Sequence, residues 1–134
     1  MMKKVFVNGY GSIGSRIIQF LKDDPESIRL NTIVGDYYFE QGLYDIAANY
    51  YDQLLIIDDR NYDIYNSYGL SFLYQNNYAL ALDNFKKVIE FAPSYSYSYK
   101  YALSNIAETY IAMGNDNKAI DIYSIDEFLR YKNG

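Results

Sequence analysis

GDYYFEQGLYDIAANYYDQLLIIDD, residues 35–59, and GLSFLYQNNYALALDNFKKVIEFAP, residues 69–93, align without a gap at an offset of 34 residues. A third stretch, AETYIAMGNDNKAIDIYSID, residues 107–126, carries the same landmarks after an offset of 38. Repetition at this period decides architecture before any local propensity does, because each copy is a unit that cannot bury its apolar face alone and must stack on its neighbours.

The landmarks have a physical reading. Gly35, Gly69 and Ala107 are small residues that let the first helix of a unit approach the second closely, and Ala47, Ala81 and Ala119, twelve residues on, are their counterparts on that second helix. Tyr38, Phe72 and Tyr110 follow three residues after the small position, on the same helical face, and Tyr51, Phe85 and Tyr123 follow four after each alanine. Gly42, Asn76 with Asn77, and Gly114 fall in the turns between the helices, where a left-handed backbone conformation is inexpensive for them. Pro93 closes the second unit, and Asp59 stands at the same place in the first.

These residues closely resemble the tetratricopeptide repeat, a helix–turn–helix unit of 34 residues. The resemblance implies an all-α fold, an α-solenoid of stacked repeats forming a right-handed superhelix. The repeats are expected at about 28–61, 62–95 and 96–127, with a C-terminal capping segment inside a domain of residues 28–134. Four extra residues precede the third unit, so its first helix is expected to start one turn early, capped by Ser94; the Tyr/Ser alternation of residues 95–99 would also suit a strand, which would have no partner here. Ser124 to Glu127 has the spacing of a capping box, so the tail either continues the last helix or restarts as a short cap.

Composition narrows the function. The chain of 134 residues has no Cys, no His and no Trp, which removes disulfides, thiolate and imidazole metal sites, and Cys- or His-dependent catalysis. Its net charge of −5 is unevenly placed: residues 1–34 carry five basic and three acidic side chains, and residues 35–134 carry seven and fourteen. An acidic body disfavours nucleic acid and anionic membrane surfaces as partners. The uncharged run from Ile64 to Leu82 is too polar to span a membrane, and Asn8, three glycines and Arg16 interrupt any apolar signal core at the start. A soluble cytoplasmic protein without cofactors or metal is expected. Asp59, Asn61 and Asp63 have the first spacings of a calcium loop, but Ile64 and Leu70 stand where its glycine and bidentate glutamate belong.

Residues 3–17, KKVFVNGYGSIGSRI, contain Gly9-x-Gly11-x-x-Gly14. This resembles the opening of archaeal-type glyceraldehyde-3-phosphate dehydrogenases, and it implies a pyrophosphate-binding turn at Gly9, Gly11 and Gly14 with Asp36 near the ribose-binding position. That reading needs residues 28–38 as a strand and lacks a Cys nucleophile downstream. The competing reading makes residues 1–27 an irregular or degenerate half-repeat or cap, with Ser12 to Leu21 as a helix and Pro25 at its terminal-proline position. Both cannot hold, and the helical reading is the expectation.

The remaining functional surface is the concave groove that the family lines with the first helix of each repeat. Carried over position by position, it comprises Arg29, Thr32, Asp36, Phe39 and Glu40; then Asp63, Asn66, Leu70, Leu73 and Tyr74; then Tyr101, Ser104, Glu108 and Ile111. Thr32 and Asp36 stand where the carboxylate-clamping subclass has Lys and Asn, so binding of a chaperone tail is disfavoured. The resemblance implies a noncatalytic scaffold that binds a protein or peptide carrying basic and apolar or aromatic residues. The alternatives are a structural protein that self-assembles through its solenoid ends, and an NAD(P)-binding dehydrogenase fragment.

Overall fold

The computed structural model describes residues 24–133, and the expectations placed on residues 1–23, including the Gly9, Gly11 and Gly14 turn, lie outside them. Six helices follow one another: α1 (Pro25–Glu40), α2 (Tyr44–Ile57), α3 (Tyr62–Leu73), α4 (Tyr78–Phe91), α5 (Tyr97–Ala112) and α6 (Asp116–Asn133). No strand occurs among the described residues. The all-α repeat solenoid expected from the sequence is therefore the observed architecture.

Side chains set most of the helix starts. Asp24 accepts from the Glu26 and Ser27 amides, with Pro25 in the first turn, where its missing N–H is harmless. Pro25, expected to close a preceding unit, thus opens α1. Asn61 accepts from the Ile64 amide, Asn77 from Leu80 and Ser96 from Tyr99. The ends of α1, α3 and α5 share one geometry: the amides of Leu43, Asn77 and Asn115 reach back to the carbonyls of Tyr38, Phe72 and Tyr110 at 2.9, 2.9 and 2.8 Å. That closure needs a left-handed residue just before the donor, and Gly42, Asn76 and Gly114 supply it with φ of 77°, 60° and 77°.

The small landmarks do what their spacing suggested. A Cβ on Gly69 would lie within 3.0 Å of three carbons of the Phe85 ring, and one on Gly35 would stand 3.0 Å from Tyr51 Cε1. Ala47, Ala81, Ala107 and Ala119 are buried, as are Tyr51 and Phe85. Tyr123 departs from its counterparts: it lies 45% exposed, because no described helix packs beyond α6. Two apolar clusters result, one around Tyr51, Leu54 and Ile64, the other around Phe85, Val88 and Ile106, with Tyr65 touching both.

The insertion before the third repeat is absorbed as extra helix. Helix α5 has 16 residues against 12 in α3, and it starts at Tyr97 behind Ser96, two residues later than the expected Ser94 cap. The added turn is anchored to α3: Ser98 Oγ donates to Asp63 Oδ1 at 2.6 Å, and Asn66 Nδ2 donates to the Ser98 carbonyl at 3.0 Å. Ser124 to Glu127 opens no new helix. Helix α6 runs through it, Ser124 Oγ donates back to the Ile120 carbonyl, and Asp126 pairs with Arg130 one turn on.

Successive first helices touch one another, α1 with α3 and α3 with α5, whereas α2 does not reach α4, nor α4 reach α6. Close inner helices and splayed outer ones bend the stack, and its concave face belongs to α1, α3 and α5.

Candidate interaction groove

The concave face holds a cleft of about 220 Å³ lined by Asp36, Phe39 and Glu40 of α1, Ser67 and Leu70 of α3, Tyr101 of α5 and, beneath them, Tyr51 of α2. Asp36 and Glu40 share a face because four residues make about one turn. The Tyr51 hydroxyl donates to Asp36 Oδ1 at 2.6 Å from a ring that is almost wholly buried, which fixes the carboxylate on the cleft wall. Burial, then the hydrogen bond to Asp36, holds the Tyr51 phenol far above its usual range, so it remains a neutral donor.

Aromatic rings extend the cleft in both directions. Tyr74 stacks on Tyr44 at 5.2 Å between centroids and meets Phe39 edge-on at 5.6 Å, tying the ends of α1 and α3 to the start of α2. Tyr97 stacks on Tyr101 at 6.0 Å along α5. The Tyr101 phenol is also raised, by burial first and then by Tyr97, Glu108 and Tyr74. The surface is thus acidic and aromatic, and it can hold an extended or helical segment that places cations against carboxylates and apolar side chains against rings.

Five of the expected groove residues, Asp36, Phe39, Glu40, Leu70 and Tyr101, meet in this cleft, and Tyr74 joins through Phe39. Glu108 and Ile111 lie exposed further along α5. Ser104 lines a separate opening between α5 and α6. Arg29 pairs with Glu26 on its own helix, Thr32 Oγ1 donates to the Ile28 carbonyl, and Asp63 accepts from Ser98.

Two expectations are corrected. Asn66 is buried between α3 and α5, where it binds the Ser98 carbonyl and accepts from Asn105, and Leu73 is buried in the apolar cluster with Phe85. Each is implied by the family's groove pattern, but packing against α5 turns Asn66 inward and packing in the α4–α5 cluster turns Leu73 inward. Tyr44, Tyr51, Ser67 and Tyr97 were not expected at the groove. Tyr97 had a readable signal, four residues before Tyr101 on the lengthened helix; the other three needed the helix–helix geometry.

Residues 62–95 match a family model described as tetratricopeptide repeat, and residues 101–125 match a second model of the same description. Over these two stretches the chain is similar to tetratricopeptide repeats. Solved structures share the fold of the whole stack. A point mutant of MamA matches with a TM-score of 0.66 at 20% identity, over 88% of this chain and 86% of that one. The MamA MSR-1 C2 structure reaches 0.69 at 20% identity over 91% and 68%, and the crystal structure of MamA 0.67 at 21% over 87% and 66%. At such identities the likeness is one of fold. No curated protein matches the sequence.

Asp36 also bears on the nucleotide-binding alternative. That reading required a strand ending there, whereas Asp36 sits inside α1, bound by Tyr51. No helix among the described residues is long and apolar enough to cross a membrane.

Proposed function

We propose that this chain is a tetratricopeptide repeat protein and a noncatalytic interaction scaffold that takes a protein or peptide segment in its concave groove. The observation that carries the reading is the convergence of Asp36, Phe39 and Glu40, Leu70 and Tyr101 from three different helices on one cleft. Its partner carries Lys or Arg beside aliphatic or aromatic anchors. Apolar anchors provide most of the affinity, and the carboxylates mainly accelerate association, because exposed ion pairs contribute only about 0–1 kcal/mol each. A cytoplasmic location belongs to the same proposal and is supported by the acidic, cysteine-free composition.

The test is affinity capture with the wild-type chain, Tyr101→Ala and Glu40→Lys side by side. A protein enriched by the wild type and lost with both variants supports the groove. Equal enrichment with all three places the binding elsewhere and defeats the proposal.

A further inference from the structure

The concave cleft is charged in one sense only. Asp36 and Glu40 line it, and none of its lining residues is a cation. Helices α1, α3 and α5 carry two cations, Arg29 and Lys100: the first pairs with Glu26, and the second lines the opening between α5 and α6. Burial, then Tyr97 and Glu108, raise the Tyr101 phenol, so a third carboxylate acts on the ring that closes the cleft. Among the described residues the Glu40 carboxylate makes no hydrogen bond or ion pair, and Asp36 accepts only from Tyr51, at Oδ1, which leaves its second oxygen unbonded. Phe39 and Tyr101 flank the two carboxylates, and Tyr74 meets Phe39 edge-on at 5.6 Å.

We infer that this cleft is an arginine socket, which seats one arginine side chain of the partner between the Asp36 and Glu40 carboxylates and the Tyr101 ring and prefers it to lysine. This rests on the reading of the concave groove as the binding surface, and it names the side chain that the groove selects. The volume of about 220 Å³ lies below the range of about 300–1,000 Å³ of small-molecule pockets, and it is on the scale of a single long side chain. The uncompensated carboxylates require that side chain to be a cation.

The aromatic walls decide between the two cations. A guanidinium is planar and weakly hydrated, with five donors in a fixed fork, so it lies against a ring while its edge donates to carboxylates. An ammonium is a compact, strongly hydrated charge, and it gives up water against the same rings without gaining the fork. Four residues apart on a helix, Asp36 and Glu40 have their Cβ atoms about 5–6 Å from one another, so one guanidinium can donate to both. Tyr51 is then a positioning residue: almost wholly buried, it acts through Asp36, holding that carboxylate at a fixed place on the wall by its 2.6 Å hydrogen bond.

The probes are three blocked peptides, Ala-Leu-Arg-Phe-Ala and the same sequence with lysine or with citrulline in place of arginine, each titrated into the isotope-labelled full chain and followed by amide chemical shifts. Saturable shifts are expected at residues 36–40, 67–70 and 101. The arginine peptide binds about threefold tighter than the lysine peptide and about tenfold tighter than the citrulline peptide, which keeps the size and plane of arginine without its charge. Asp36→Asn and Glu40→Gln, both at exposed positions, each weaken the arginine peptide about threefold. Tyr51→Phe keeps the buried ring and lowers the ratio of arginine to lysine affinity towards one, whereas a loss of packing alone weakens both peptides alike; circular dichroism confirms that the variants keep their helix content. Lysine or citrulline bound as tightly as arginine at these residues overturns the socket and leaves the groove standing. Shifts from all three peptides that fall outside the concave face defeat both, and the absence of saturable binding by the arginine peptide overturns the socket, the groove being judged separately by the captured partner.

Discussion

Gly69→Ala tests the packing logic of the repeat at one atom. In an exposed helix the substitution would stabilise by about 0.8–1.0 kcal/mol, because alanine is the better helix former. Here the new Cβ falls within 3.0 Å of three Phe85 ring carbons, and real Cβ atoms essentially never come that close. The ring has no solvent to swing into: Phe85 is 0% exposed, between Ala81 and Val88, which are equally buried. Overpacking of this kind costs about 1–3 kcal/mol, and a clash with a whole ring edge belongs at the upper end. The net loss is about 1–2 kcal/mol, or roughly 4 °C in Tm per kcal/mol for a chain of this size. Urea unfolding followed by circular dichroism reads it directly. In the double variant Gly69→Ala with Phe85→Leu, the smaller side chain relieves the clash, so the pair is less destabilised than the sum of the singles. At Gly35 the nearest ring carbon would be 3.0 Å away, so Gly35→Ala loses less. A Gly69→Ala variant as stable as the wild type would refute the close approach.

Alkaline unfolding follows from the buried phenols. Burial, then the Asp52 carboxylate, pushes Tyr68 up to about 12 from an ordinary value near 10, so the unfolded chain loses its proton first. Stability is fully present below pH 10 and falls between pH 10 and 12, with Tyr51 acting in the same direction; a urea midpoint that stays flat across that window, or the same decline in Tyr68→Phe, contradicts this. Asn66→Ala removes the bond from the buried Asn66 side chain to the Ser98 carbonyl and is expected to lower stability by about 1–3 kcal/mol in the same urea assay. Leu73→Ala is a core change, costing about 2–5 kcal/mol of stability. Tyr74→Ala, by contrast, leaves the fold intact and weakens partner binding about tenfold, more than Asp63→Asn does, while added salt slows association; titration calorimetry and stopped-flow measurements check both.

The helical stack was legible because its signals are local and repeated. Gly69 and Phe85 could be paired from their offset to Gly35 and Tyr51, and the three left-handed turn residues from their common place between helices. What could not be read is how first helices sit on one another. The family resemblance implies Asn66 and Leu73 as groove positions, and the contact of α3 with its neighbours sends them inside. Tyr44 enters the groove from a second helix, through a stack on Tyr74 that no spacing within one repeat encodes. The unbroken course of α6 through Ser124 has the same origin: a capping box is a local pattern, and a serine can instead bond back to the preceding turn within a continuing helix.

The central claim is that the concave face binds the partner, and amide chemical-shift mapping of the isotope-labelled chain with its captured partner tests it most directly. The account predicts that the largest shifts fall on residues 36–40 of α1, 67–74 at the end of α3 and 97–108 of α5. Shifts concentrated instead around Ile56 of α2 and Phe91 of α4, both exposed on the outer helices, would contradict it.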